Sequence, residues 1–388
     1  MAPAPKRPEE PCVEALPTAF SPTTCLRRGL CPVTSLRGQD ETVTDRVLES
    51  HSLYYELHAP PGVKEGEAKF RVVFIMGLNS SSFAWVPQVN WFTQALQDNP
   101  ESPGPAEILL FDNRGVGNSG YPRGPYTTSG MAEDAICLLD YIGWTKDREL
   151  HVVGISLGGM ISQELSYRIP HRIASLTLAV TTPGGHVWQN LPPFSGVRSL
   201  ARLLFTPDPV QKVPLVLEML YPPEWLDSKA EGDDKGRTNR EIQTEAYLVR
   251  VSLTIPQQFV GHISQMAAGL THRFTPSRLK TIASKIPKIT IVTGDVDNLV
   301  APRRSRELVQ GMGLTIDAAA SKHTNPRDNT PREASEIQRI ELVEWKETGH
   351  GINHQRAEWF NRLLERTFEE GIRVVEKEKQ GGANERVY

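Results

Sequence analysis

Short, continuous apolar runs alternate with amphipathic stretches along most of this chain, and that rhythm restricts its fold more than any other feature. Residues 70–78 (FRVVFIMGL), 107–112 (EILLFD), 150–155 (LHVVGI), 173–180 (IASLTLAV), 288–293 (KITIVT) and 340–345 (IELVEW) are strand-length and largely apolar. Runs apolar on both faces belong to strands covered on both sides, which is the environment of a parallel sheet. Between them, residues 83–99 place Trp85, Val89, Phe92 and Leu96 on one helical stripe. Residues 129–142 do the same with Met131, Ala135, Leu138, Leu139 and Ile142. Further helices are expected over 157–169 (stopped by Pro170), from Ser277, over 303–311 and over about 354–370. Strand–helix–strand units of this kind predict an α/β fold with a mostly parallel, doubly wound sheet. Residues 52–58 (SLYYELH) add a strand ahead of the series.

The rhythm fails in four places. Residues 1–42 carry prolines at 3, 5, 8, 11, 17, 22 and 32 and no sustained period, so a flexible tail is expected there. Residues 183–276 hold helical pieces, many aromatics and no convincing strand. They are expected to form a helical cap inserted between two parts of the core, 43–182 and 277–375. Within the second part, residues 314–338 are polar and too long for a structureless loop inside a compact domain, which predicts a disordered surface insertion. Residues 376–388 are charged and are expected to be a flexible C-terminal tail.

Composition removes several classes of function. Lys+Arg 43 against Asp+Glu 46 leaves a net charge of −3 with no dense basic stripe, which gives nucleic acid no footing. No apolar run approaches the ~20 residues of a membrane-spanning helix. The cysteines (Cys12, Cys25, Cys31, Cys137) show no metal-ligand spacing with histidines, and a disulfide-stapled scaffold is not indicated. No metal or cofactor is expected. The N-terminus lacks the apolar core of a secretory signal. Arg27, Arg28 and Arg37 suit an organelle transit segment and Glu9, Glu10 and Glu14 oppose one, so the cytosol is the default and a mitochondrial destination the alternative.

The chemistry is concentrated at Gly154-Ile155-Ser156-Leu157-Gly158, a G-x-S-x-G pentapeptide. The pentapeptide alone is common. Its context is not, because it ends an apolar strand and opens a helix. A serine at such a sharp turn needs unusual backbone angles, and larger residues two positions away on either side would collide. The turn presents the hydroxyl beside a helix N-terminus, where amides stabilise developing negative charge. A serine nucleophile needs a base, and the base an orienting carboxylate. Downstream, residues 288–293 run into Gly294-Asp295-Val296-Asp297, and residues 340–345 precede Thr348-Gly349-His350. Both groups fall at the carboxyl ends of predicted parallel strands, where catalytic groups of open α/β sheets collect.

The order Ser156, then an aspartate, then His350, each on its expected element, resembles the α/β-hydrolase family. The resemblance covers roughly residues 44–371. Asp112-Asn113-Arg114-Gly115-Val116-Gly117-Asn118-Ser119 is similar to the family's D-x-R-G-x-G-x-S turn, and Met76-Gly77-Leu78-Asn79 stands where many members have His-Gly-x-x. Gln265–Ala268 adds a similarity to the enol-lactonases and small esterases. The resemblance implies Ser156 as nucleophile, His350 as base and Asp297, three residues after Gly294, as the acid. It also implies an oxyanion hole from the backbone amides of Leu78 and Leu157. The expected activity is hydrolysis of a small to medium, largely apolar ester, lactone or thioester, with a small molecule as the partner. The same residues also serve C–C bond or amide hydrolysis or perhydrolysis, and the fold is compatible with a catalytically silent binding protein. His354 is the rival of His350. Asp112 and Asp134 read as structural, and the cap aromatics, Trp188 and Trp225 among them, read either as cap core or as a pocket over Ser156.

Overall fold

The computed structural model describes residues 16–37, 47–98, 106–206, 208–323 and 325–384. Among these, eight strands form one sheet: β1 (Cys25–Arg37), β2 (Val47–His58), β3 (Phe70–Ile75), β4 (Ala106–Phe111), β5 (Leu150–Ile155), β6 (Ile173–Ala179), β7 (Lys288–Gly294) and β8 (Ile340–Trp345). The order across the sheet is β1-β2-β4-β3-β5-β6-β7-β8. The β1–β2 and β2–β4 pairs are antiparallel, and every pair from β4 to β8 is parallel.

Alternate residues of the central strands feed two cores. Val73 and Ile75 of β3 point into one, with Met131 and Leu138 of helix Thr128–Tyr141, Ile161 and Leu165 of helix Leu157–Arg168, and Leu279 and Leu308 of the helices before and after β7. Val72 and Phe74 point into the other, with Val89 and Phe92 of helix Val86–Asp98 and Phe360, Leu364 and Phe368 of helix Ala357–Asn384. This is a doubly wound α/β sandwich, as the run-and-stripe pattern requires. From β3 the chain moves outward to β4 and then returns to β5 on the other side of β3. The connections after β3 and β5 therefore diverge to opposite faces and leave a crevice at their carboxyl ends.

Among the described residues, five α-helices lie between β6 and the helix that leads into β7 (Pro276–Lys285): Phe194–Leu204, Pro209–Leu220, Pro223–Asp227, Asn239–Leu253 and Phe259–Thr271. They carry a small core of their own around Val213, Leu217, Tyr221 and Leu226. No helix among the described residues is long and apolar enough to cross a membrane.

Three segments differ from expectation. Residues 1–42, read from the sequence as a tail, contribute β1, whose register with β2 runs from Cys25↔His58 to Arg37↔Val47. Residues 1–15 and 38–46 lie outside the described residues. Cys31 and Val33 of β1 turn into the core, while Pro32 and Thr34 face out. Proline is tolerated because β1 is the outermost strand, where a missing N–H breaks no ladder. Phe20 is also buried, against the rings of His58 and Phe83. Residues 314–338, expected to be disordered, include helix Ile316–Ala319 and a bridge from Ala320 to Leu342 of β8. The described part of the loop is held by Asn329 Nδ2 donating to Glu365 (2.8 Å) and Arg373 Nη1 donating to the Arg332 carbonyl (2.9 Å). Finally, residues 376–384 continue the last helix to Asn384. Its buried stripe ends at Val374 and Val375, and the exposed Glu376-Lys377-Glu378-Lys379 are good helix formers that extend it.

Candidate active site

Ser156 occupies the turn from β5 into helix Leu157–Arg168 with φ 56° and ψ −119°, in the left-handed region that an ordinary side chain avoids. The glycines on either side explain how the turn closes. A Cβ on Gly154 would strike the Gly158 carbonyl, and one on Gly158 would strike the Ile75 carbonyl of β3. The backbone is pinned as well: Ser156 N donates to the Ala179 carbonyl of β6 (2.9 Å), and Thr181 Oγ1 donates to the Ser156 carbonyl (2.7 Å).

The loop after β3 faces this turn across the crevice. Gly77 approaches so closely that a Cβ there would lie 3.2 Å from Ser156 Cβ. Among the described residues, no protein acceptor takes the amide of Leu78 or of Leu157. The next amide is taken: Asn79, at φ 55°, donates its N–H to Gln265 Oε1 (2.8 Å). Gln265 is fully buried on helix Phe259–Thr271 and donates from Nε2 to the Arg114 carbonyl (2.8 Å). Gln257 Nε2 bridges Asn79 Oδ1 (3.0 Å) and the Gly115 carbonyl (2.8 Å). Two glutamines between β6 and β7 thus clamp the loop carrying Leu78 to the turn after β4. The sequence singles out Gln265 only through a resemblance, and Gln257 not at all; neither lies in a periodic pattern.

Asp297 and His350 follow β7 and β8. Asp297 Oδ2 lies 2.8 Å from His350 Nδ1, with both side chains almost wholly buried. The other oxygen, Oδ1, accepts from the amides of Leu299 (2.7 Å) and Val300 (2.9 Å), so the carboxylate is fixed in rotation. Asp295 points elsewhere, with Lys346 Nζ and the Thr348 amide each 3.5 Å from its oxygens. Of the three side chains expected to act together, the structure joins Asp297 and His350 directly. Among the described residues, Ser156 Oγ makes no hydrogen bond to either.

The remaining titratable groups have other partners. Burial pushes His354 down to about 3, and its Nε2 meets the Ala84 carbonyl at 2.8 Å. Burial likewise holds His151 at about 3 and His272 at about 4, so all three are neutral near pH 7. Asp112 accepts from Ser82 N (2.7 Å), Ser82 Oγ (2.8 Å) and Asn118 N (2.9 Å), and burial raises it to about 6 despite those bonds. Asp134 binds Arg114 through two bonds of 2.6 and 2.5 Å. Both aspartates organise the glycine-rich turn after β4. Met76, where histidine is common, packs into the core on the face of helix Val86–Asp98. Trp188 is exposed and stacks on His186, and Trp225 packs against Tyr221.

Among the described residues, one cluster has the donor types of a metal site: Cys25, Glu56 and His58, with ligand atoms within 4.8 Å of one another. However, Glu56 already accepts from Thr18 Oγ1 (2.8 Å) and Tyr54 OH (2.8 Å) and lies 3.2 Å from His58 Nε2. His58 Nδ1 meets Thr24 Oγ1 at 3.0 Å. The network is satisfied as it stands.

Comparison with known proteins agrees with this architecture. A protein of Azorhizobium caulinodans named for carbamate hydrolysis, RutD, is 29% identical over 178 residues, covering 45% of this chain and 56% of the relative. The poly(3-hydroxyalkanoate) depolymerase of Ectopseudomonas oleovorans is 37% identical over 78 residues, 20% of this chain and 26% of that one. This chain spans about half the length, or less, of these relatives. Among solved structures, the enol-lactonase of Burkholderia xenovorans LB400 superposes with a TM-score of 0.55 at 20% identity, covering 81% of this chain and 95% of that one. The family model described as the alpha/beta hydrolase fold matches residues 71–311, more than half of the chain. The chain belongs to the α/β-hydrolase fold family.

Proposed function

We propose that this protein is a serine hydrolase that cleaves a carboxylic ester, lactone or thioester with a largely apolar acyl group. The observation that carries the reading is the Asp297–His350 hydrogen bond, made by a carboxylate whose second oxygen is held by two backbone amides, at the sheet end that presents Ser156. Ser156 Oγ attacks the carbonyl carbon and His350 Nε2 accepts its proton. Asp297 fixes the imidazole with its proton on Nδ1 and stabilises the imidazolium. The carbonyl oxygen, now anionic, receives the Leu78 and Leu157 amides at a helix N-terminus. Collapse expels the alcohol or thiol, protonated by His350, and water then releases the acyl group by the same route. A serine–histidine bond absent without substrate is compatible with this, because such contacts tighten as substrate binds.

Residues 183–276 act in this reading as a lid. Helix Phe259–Thr271 supports it: Ser264 and Gln265 are buried, whereas Phe259, Val260 and Ile263 are exposed, the reverse of an ordinary surface helix. An apolar face left open beside the clamp on Asn79 suits an acyl chain.

The test is covalent labelling with a fluorophosphonate, together with turnover of p-nitrophenyl esters. Ser156→Ala should abolish both while leaving the thermal transition within a few degrees of wild type, roughly the shift that ~1 kcal/mol produces. Retention of most of the turnover would remove Ser156 as the nucleophile.

A further inference from the structure

The loop 314–338, the outer strand β8 and helix Ala357–Asn384 enclose a cavity of about 500 Å³. That volume suits a small molecule, and the cavity shares no lining residue with the Ser156 site. Its apolar wall is formed by Leu342 and Trp345 of β8, Trp359 and Leu363 of the helix, and Ile316 and Pro326 of the loop. The two tryptophan rings meet edge to face at 5.7 Å.

The same cavity is lined by a guanidinium with an unmet donor. Arg366 is only 2% exposed. Its Nη2 donates to Glu341 Oε1 (2.9 Å), a carboxylate it shares with Ser321 Oγ (2.5 Å) and Lys288 Nζ (3.1 Å). Among the described residues, neither Nε nor Nη1 of Arg366 has an acceptor. Nε is sealed, but Nη1 is not, and the cavity is the opening left to it. A buried donor in that position is costly until an acceptor reaches it. Arg356 brings a second guanidinium to the cavity, 4.6 Å from the centre of the Trp359 ring. Its donors go to neutral oxygens: Thr348 Oγ1 (3.2 Å) and the carbonyls of Lys346 (3.4 Å) and Glu347 (3.5 Å). Among the described residues, no carboxylate lies within ion-pair distance of it. Of the acids on the wall, Glu344 is engaged by Arg306 (2.9 Å) and Asp328 by His323 (3.1 Å), and Glu347 is exposed beside the equally exposed Lys346.

We propose that this cavity is a second ligand site, separate from the Ser156 site, and that it takes a small aromatic carboxylate. The carboxylate accepts from Arg366 Nη1, and the ring packs against Trp345 and Trp359. The charge of Arg356 favours an anion over a neutral acceptor of the same shape. The occupant is felt at His350, because the wall residues Lys346 and Glu347 lead directly into Thr348-Gly349-His350. Gln355 fastens that segment, donating to the Glu347 carbonyl (2.7 Å) and accepting from the Gly349 amide (2.8 Å), next to Arg356 on the cavity wall.

The experiment is calorimetric titration of the full chain with 2-naphthoate and with its uncharged counterpart 2-naphthamide, on wild type, Leu363→Trp and Arg366→Met. Wild type should bind 2-naphthoate about ten- to a hundredfold more tightly than the amide, the worth of a hydrogen bond to a charged group. Leu363→Trp, which fills the cavity from the helix, should weaken 2-naphthoate by about tenfold or more. Ala320→Trp fills it from an exposed position on the loop and repeats the test should Leu363→Trp not fold. Arg366→Met should bring the acid-to-amide ratio close to one, and a ratio between two ligands is insensitive to partial loss of folded protein. In turnover of a p-nitrophenyl ester, 2-naphthoate should change kcat in wild type and not in the cavity-filled variant. Three results overturn the proposal: no binding by wild type at millimolar ligand, equal affinity in wild type and both filled variants, or a wild-type acid-to-amide ratio of one. Inhibition confined to KM and retained in the filled variant would place the ligand at Ser156 and overturn it as well. The titration needs no turnover, so protein that binds 2-naphthoate in this way but neither labels nor hydrolyses counts against the hydrolase reading and leaves the second site standing.

Discussion

Replacing Asp297 by asparagine should do more damage than the loss of one charge suggests, because the surroundings dictate which way the amide turns. In the native protein Oδ1 accepts two backbone amides, from Leu299 and Val300, and Oδ2 faces His350 Nδ1. An asparagine must keep its oxygen toward those two donors, since turning its NH2 toward them would set donor against donor in a buried site. Its NH2 then faces His350. The imidazole answers by accepting at Nδ1, which places its proton on Nε2, where a lone pair is needed to take the hydroxyl proton. Asparagine in the equivalent role in a protease of unrelated fold costs about 10⁴ in turnover, and a similar loss is expected here. Asp295 gives the contrast. It is partly exposed, its contacts to Lys346 and Thr348 are long, and Asp295→Asn should cost about tenfold or less. The two variants should therefore differ by ~10³ in kcat/KM, or ~4 kcal/mol of barrier, measured side by side on one p-nitrophenyl ester. Thermal transitions of both should confirm that they fold. If Asp297→Asn stays within tenfold of wild type, the tautomer argument fails and Asp297 is not the orienting acid.

Two further outcomes test the clamp and the buried histidines. Gln265→Leu, which strands the Asn79 amide and the Arg114 carbonyl, should lower stability by ~2–4 kcal/mol and reduce kcat more than it raises KM, while Gln265→Glu, which restores the acceptor facing Asn79, recovers part of kcat. A change confined to KM would show that Gln265 shapes binding and not the oxyanion loop. His151 has a folded pKa of about 3 against 6.5 for the free side chain, so the unfolded chain takes up the proton first as the pH falls. The stability it contributes is complete above pH 6.5 and drains away towards pH 3. His151→Phe, placed between Phe70 and Phe368, should therefore flatten the fall in urea stability between pH 6.5 and 4, and identical slopes in the two proteins would refute this.

What the sequence revealed depends on how each segment meets solvent. Leu150–Ile155 and Ile340–Trp345 coincide with their sequence-read limits because a strand covered on both faces must be apolar at successive positions. Ser156, His350 and the pair Asp295 and Asp297 were candidates for a related reason: each follows such a strand, so the strand located them, and the choice of Asp297 over Asp295 came from the family resemblance. β1 was hidden because an antiparallel edge strand buries only alternate side chains, here Cys31 and Val33, amid arginines and a proline that read as loop. The end of the last helix was hidden because residues 376–380, just beyond Val375, are all exposed and so show no stripe. Gln257 could not be found at all. Its place in the site lies in the Asn79 side chain and the Gly115 carbonyl that the fold brings to it, and no spacing along the chain encodes that.

The loop 314–338 has a consequence for the sheet as a whole. β8 is the last strand in the order, and a bare outer strand would offer its free N–H and C=O groups as a template for a strand from another chain. Ala320 bridges to Leu342 in the middle of that outer row, and Ser321 N donates to the Leu342 carbonyl (2.8 Å). Gln338 then ties the end of the loop back to the Ala318 carbonyl (2.8 Å). The opposite border, β1, is blunted by its own Pro32. Neither border presents an uninterrupted ladder, so the loop expected to be a disordered insertion serves as a guard against intermolecular strand addition and fibrous growth. Trimming it to a tight turn would leave the fold's chemistry in place and remove that guard.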